Sequence, residues 1–219
     1  MDNTVETEAY YQTNFVQSIL AYRRRKRVDF VLSKVRAFGG MSILDVGCGP
    51  NGRSFEDFIP ADYKIVGVDL LDQNSVTTSH PNFRYFRQDA QDLHMFNDNE
   101  FDLTVSFGMM EHICDPKVLN KMYTEIDRVS RQWAIIVPWK YAYVEPHFKF
   151  PFFQLFPYPI KVWLVKVLNL HDRREAVKND YHYIKKNYQW LTSNQWLEVF
   201  KRAKCFVTPH LDTIAIIKA

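Results

Sequence analysis

The strongest constraint on this chain is an apolar run that stops at closely spaced glycines. Ile43-Leu44-Asp45-Val46 leads into Gly47-Cys48-Gly49-Pro50-Asn51-Gly52, a G-x-G-x-x-G spacing. The run predicts a buried strand. The glycines predict a tight turn at its end, where the backbone can approach a small ligand without a Cβ in the way. Ser54 to Phe58 would then open a helix. The next apolar run, Tyr63 to Val68, ends on Asp69, about 20 residues beyond the first glycine, where a carboxylate can accept both hydroxyls of a ribose.

Two ligand classes use such a turn, and Asp45 and Pro50 separate them. Asp45 precedes Gly47 by two positions, on the same side of the strand, and would repel a dinucleotide's pyrophosphate; Pro50 removes an N–H that could cradle it. S-adenosylmethionine carries an ammonium and a sulfonium, so a carboxylate there attracts it. At these residues the chain resembles the class I S-adenosylmethionine-dependent methyltransferases, whose first motif reads as an acid followed by G-x-G. Three further matches follow in order: Asp89-Ala90 after the run Phe83 to Phe86, the strand-like Phe101 to Ser106, and Met110-Glu111-His112-Ile113-Cys114-Asp115-Pro116. The resemblance covers Ser42 to Pro138 well and the rest loosely.

That resemblance implies S-adenosylmethionine as cofactor and S-adenosylhomocysteine as product. It places them against Asp45, Gly47, Cys48, Gly49 and Asn51 of the turn, Asp69 and Leu70 after the second strand, Asp89 and Ala90 after the third, and Phe107 after the fourth.

The pattern beyond Ser42 alternates: strands Ser42–Val46, Lys64–Asp69, Phe83–Arg87, Leu103–Phe107 and Trp133–Pro138, with a helix Lys117–Val129 that Asp115-Pro116 starts well. Such alternation predicts a parallel sheet with helices on both faces. Ser193 to Lys204 reads as the last helix, and Phe206–Thr208 and Thr213–Ile217 as a final strand pair. The expected fold is α/β: a Rossmann-like, doubly wound, mostly parallel seven-stranded sheet with an antiparallel edge strand and an aromatic-rich cap after strand five. At 219 residues, 47% of them hydrophobic, the chain suits one domain with a sizeable core. Its expected parts are an N-terminal helical cap over 1–40, a cofactor-binding core over 41–138, an acceptor-side insertion over 139–190, and a C-terminal helix and strand pair over 191–219.

Within the N-terminal region, Phe15, Ile19, Leu20, Val28, Phe30, Val31, Val35 and Phe38 recur at helical spacing. Arg23-Arg24-Arg25-Lys26-Arg27 reads as a solvated face or as a contact to phosphate or anionic headgroups. Tyr10 and Tyr11 would pack in the core or lie near the sulfonium. The net charge of +3 is slight, so basic character is local and nucleic acid is not demanded. Three cysteines without C-x-x-C spacing suit reduced thiols and a cytoplasmic protein, and no metal site is expected. The N-terminus does not read as a secretory signal. Ile160 to Leu170 contains Lys161 and Lys166 and is too short to span a bilayer, though it suits peripheral contact with an anionic membrane surface.

Aromatics and prolines crowd Trp139 to Trp163. That composition predicts a shaped lid over the acceptor, with satellite core packing as the other reading. Methyl transfer from a sulfonium is an in-line displacement, so alignment and exclusion of water matter most. A hydroxyl acceptor would use a base, for which His147, His112 and Glu111 are the candidates, with Glu145 nearby. Strand four ends in Ser106-Phe107-Gly108 rather than the tetrad of base-amine methyltransferases, which disfavours nucleic acid. The acceptor is expected to be a small molecule, a glycan or a lipid-linked molecule, and the reaction an O-methylation by in-line displacement. The rival readings are a non-catalytic nucleotide- or adenosylmethionine-binding protein of the same fold and an NAD-dependent nucleotide-sugar enzyme.

Overall fold

The computed structural model describes residues 3–50 and 55–219, and among them all side chains except those of 3–17, 20 and 57. Asn51, Ser54 and the side chains of Tyr10, Tyr11, Phe15 and Leu20 therefore lie outside the described residues. In chain order the helix α1 (Asn3–Lys34) precedes strands β1 (Ser42–Val46), β2 (Lys64–Asp69), β3 (Phe83–Arg87) and β4 (Phe101–Phe107). Helix α2 (Pro116–Val129) and strand β5 (Ser130–Pro138) follow. A cap comprises β6 (Val144–Glu145), β7 (Phe150–Pro151), α3 (Tyr158–Leu168), α4 (Arg174–Asn179) and α5 (Tyr183–Asn187). The chain closes with α6 (Ser193–Val199), β8 (Lys204–Val207) and β9 (Thr213–Lys218).

Seven strands form one sheet in the order β3-β2-β1-β4-β5-β9-β8. Strands β1 to β5 pair in parallel, and β9 runs antiparallel to both β5 and β8. The expected antiparallel strand thus sits one place in from the edge. The chain builds outward from β1 to β3 and then crosses back to β4, so the strand order reverses beside β1, where ligands collect in such sheets.

Both faces of the sheet are covered because successive residues of a strand point to opposite sides. Ile43, Ile136 and Ile217 join the core under α1, formed there by Val28, Val31 and Val35. Leu44, Ile135 and Ile216 join the opposite core, where Met122 and Ile126 of α2 and Trp196 of α6 cover them. Asp115 caps α2 by accepting from the Lys117 amide at 2.8 Å, and Thr192 with Gln195 makes a reciprocal capping box on α6.

Four local expectations differ from what forms. Ile19 and Phe38 are exposed, because the helix stripe that meets the sheet runs through Val28, Val31 and Val35 instead. Of the helix expected from Ser54 to Phe58, the described residues form one short 3-10 turn over Glu56–Phe58. The last helix stops at Val199, since residues 200–203 must turn the chain into β8, where Lys204 pairs with Ile217. The cap builds a core of its own: Phe148 stacks on Phe153 at 4.1 Å, with Val165, Val177 and Ile184 around them. No helix among the described residues is long and apolar enough to cross a membrane.

Gly67 of β2 shows how closely the sheet is covered. A Cβ there would lie 2.5 Å from the Phe83 ring and 2.9 Å from Cys48 Sγ. Gly67→Ala is predicted to destabilise the fold by about 1–3 kcal/mol through overpacking, read as a lower urea midpoint. A variant as stable as the parent would contradict this packing.

Candidate active site

Strand β1 ends in the glycine turn, with Gly47 at φ +75° and Gly49 at φ +69°, a region that glycine enters without a Cβ penalty. The Gly47 amide donates to Val68 O at 2.8 Å, which ties the turn to β2. Any Cβ on Gly47 would meet Met109 Cγ at 2.7 Å, so the loop after β4 closes directly on the turn. Asp69, at the end of β2, accepts from the amides of Gly49 (3.0 Å), Leu70 (2.7 Å) and Leu71 (3.3 Å). Three amides leave lone-pair capacity on its carboxylate for a further donor. Asp89, after β3, is held by the amide of Gln91 at 2.9 Å.

These loops surround a cleft of about 210 Å3. Of the residues expected to hold a cofactor, Gly47, Asp69, Leu70, Asp89 and Ala90 line it. Met109, Ile113, Val118 and Met122 close its apolar side, and sequence reasoning missed them because their spacing reads only as ordinary core. Cys48 is buried behind the turn, where burial and then the charges of Asp45 and Glu56 push its thiol pKa up. Phe107 lines a second hollow instead.

Beneath the turn, Asp45 is fully buried, and no basic side chain pairs with it among the described residues. Its neighbour is another buried acid, Glu56, which the sequence analysis did not single out. Burial raises the pKa of Asp45 well above the usual carboxylate range; the charge of Glu56, a hydrogen bond with it and the charge of Asp69 add to the rise. Two acids held out of water are a standing demand for positive charge. An ammonium is the kind of group that answers it, so the residues present fit the amino-acid end of an adenosylmethionine-type ligand.

The second hollow, of about 190 Å3, lies at the carboxyl ends of β4 and β5. Gly108, Glu111, Pro138 and His147 are on its wall. The loop after β4 divides the two spaces: Met109 and Ile113 face the first, Gly108 and Glu111 the second. The cap fixes that loop, since Gln189 donates its amide to Glu111 O at 2.9 Å and its side chain to Ile113 O at 2.6 Å.

His147 Nδ1 donates to Glu145 Oε1 at 2.8 Å, and Nε2 lies 3.6 Å from Glu111 Oε1. Glu145 is itself buried and anchored by Trp190 Nε1 (3.1 Å) and the Phe148 amide (2.7 Å). Burial works to lower the basicity of His147 and is the largest single influence. The two carboxylates together outweigh it and raise the imidazole to about 9. His112 stands edge-on to His147, with ring centroids 4.9 Å apart, and its Nδ1 donates to Asn187 O at 2.8 Å. Donor atoms of Glu111, His112 and His147 all lie within 4.8 Å of one another, a grouping able to hold a metal ion that the sequence analysis did not expect.

Of the aromatic segment, only Pro146 and His147 reach this hollow. Trp139, Tyr141 and Tyr143 line a neighbouring one, and Phe148 and Phe153 turn into the cap's own core. Satellite packing therefore takes Phe148 and Phe153, with Phe150, Phe156 and Tyr158 against them, from the segment that was expected to form a lid.

Residues 44–137 match a family model described as a methyltransferase domain. No curated protein matches the sequence. Among solved structures, a SAM-dependent methyltransferase from Aquifex aeolicus is similar at a TM-score of 0.52 and 16% identity, over 86% of this chain and 87% of that one. The [4+2]-cyclase SpnF is similar at 0.52 and 18%, over 83% and 58%. A putative O-methyltransferase from Nostoc punctiforme is similar at 0.54 and 12%, over 92% and 57%. Identities this low speak for the fold. Beside them stands the methyltransferase-domain match, which covers the sheet from β1 to β5 over residues 44–137.

The raised basicity of His147 carries a stability prediction. Its folded pKa, about 9, exceeds the ordinary 6.5, so the stabilisation is full below pH 6.5 and is lost as pH rises through about 9. The stability gap between the parent and His147→Gln should shrink by on the order of 1–3 kcal/mol across that window in urea unfolding. A gap that grows with pH would contradict the double-carboxylate setting.

Proposed function

Starting from a methyltransferase domain over residues 44–137, we propose that this protein is an O-methyltransferase acting on a hydroxyl of a small molecule, with a glycan or lipid-linked acceptor as variants of the same chemistry. The observation that carries this reading is the partition by the loop after β4. A cleft suited to the adenosyl group lies on one side, and a hollow holding a carboxylate–histidine pair lies on the other. S-adenosylmethionine, when bound, supplies an activated methyl on a sulfonium.

The chain's own residues do the rest. Asp45 and Glu56 present carboxyl groups that the ligand's ammonium favours in their ionised form, and Asp69 offers remaining acceptor capacity to the ribose. Met109 and Ile113 keep water from the cofactor side. Glu145 fixes the His147 ring, so that Nε2 points away from the hydrogen bond at Nδ1 and can take the acceptor's proton. An imidazole raised to about 9 is a strong base but is mostly protonated at neutral pH. Its free-base form therefore limits the rate there.

Two outcomes follow. With a methyl-labelled cofactor and a panel of phenols, sugars and hydroxy acids, the rate at saturation should climb with pH to an inflection near 9. His147→Gln should lower the chemical step by roughly 10²-fold, with adenosylhomocysteine affinity within about twofold of the parent. Full turnover by that variant would remove His147 as the base, and label on nitrogen or carbon would sink the O-methylation assignment.

A further inference from the structure

Helix α1 lays a stripe of valines, Val28, Val31 and Val35, against the sheet. One turn nearer its amino end, the residues at the same helical spacing are Arg24 and Arg27. Both line the hollow that holds Glu111 and His147. Three of the five basic residues in this run are therefore not a solvated face. Arg25 and Lys26 are exposed, but Arg23 is committed to Asp212 at 2.9 Å, and Arg24 and Arg27 turn inward.

Neither inward arginine is fully paired by the described residues. Arg27 Nε is buried without an acceptor among the described residues, and its terminal nitrogen comes only within 3.7 Å of the Asp212 oxygen that Arg23 already holds. Arg24 is half-buried and has no hydrogen-bond or ion-pair partner among the described residues. On the wall of the hollow, Arg24, Arg27 and His147 face one carboxylate, Glu111. Guanidinium groups drawn into a concave site cost free energy unless an anion completes them, and a planar fork of donors fits phosphate or carboxylate oxygens in pairs.

We infer that Arg24 and Arg27 bind an oxyanion of the acceptor, a phosphate or a carboxylate, and that the substrate is an acidic small molecule. Its being the methyl acceptor rests on the function proposed above; the anion site itself does not. A hollow of about 190 Å3 is sized for such a group and a few carbons, and its concavity suits a soluble ligand better than a flat membrane. With the anion held by α1, a hydroxyl on the same molecule is brought toward His147.

The test is a nitrogen-15 NMR titration at fixed ionic strength with inorganic phosphate and with acetate, each in the presence and absence of adenosylhomocysteine. One or both should saturate, and Arg24→Gln should weaken the stronger by at least about tenfold. Arg25→Gln, which removes only an exposed arginine paired with Asp29, should leave it within about twofold. Failure of both probes to saturate, or equal behaviour of the two variants, overturns the site. Phosphatidylglycerol vesicles separate the sources: Arg24-dependent vesicle binding with silent soluble probes would overturn the small-molecule assignment. Phosphate binding without adenosylhomocysteine binding would sink the methyltransferase reading and leave the anion site standing.

Discussion

The structure depends on one uncomfortable placement, a carboxylate at the end of the first strand with no cation beside it among the described residues. Asp45 is fully buried, in the strand that joins β2 to β4, and its closest acid is Glu56. Apolar residues there would give a more stable core, since isolated buried charge is unfavourable. The sheet tolerates the pair because its two faces are otherwise fully covered by α1 on one side and by α2 and α6 on the other. On the function proposed above, stability forgone at this point serves a ligand's positive charge.

Charge is distributed in the opposite sense a short way along the carboxyl edge. There the basic groups are the guanidinium groups of Arg24 and Arg27 and the histidine between Glu111 and Glu145. Two buried acids under the glycine turn and two inward arginines thus sit near opposite sides of the loop after β4. That loop is pinned from the cap by Gln189. The fold alone does not choose the chemistry, as similarity to a [4+2]-cyclase illustrates, so the argument for methyl transfer rests on the site.

Much of the sheet was legible because burial on both faces writes long apolar runs. β1, β2 and β3 form at the expected residues, and β4 and β5 begin two and three positions earlier than the runs suggest. The capped helix α2 was equally clear from Asp115-Pro116. Less legible were contacts that depend on tertiary placement. Glu56 is one polar residue in a short turn and carries no motif, yet it lies beside Asp45. The aromatic segment looked like a lid because composition shows abundance and not direction; most of those rings face one another. The basic run had two readings, and only the register of α1 against the sheet separates the inward Arg24 and Arg27 from the exposed Arg25 and Lys26.

The central claim, that the buried acids under the glycine turn exist to receive a ligand's ammonium, is tested by calorimetry on the parent and on Asp45→Asn. The ligands are adenosylhomocysteine and methylthioadenosine, which shares the nucleoside but lacks the amino-acid end. The account predicts that Asp45→Asn weakens adenosylhomocysteine by at least about tenfold, or 1.4 kcal/mol, and leaves methylthioadenosine within about twofold. Binding to the parent should also release protons, seen as a heat that varies with the buffer, because a nearby ammonium lowers the raised pKa of Asp45. Unchanged adenosylhomocysteine affinity in Asp45→Asn would contradict it.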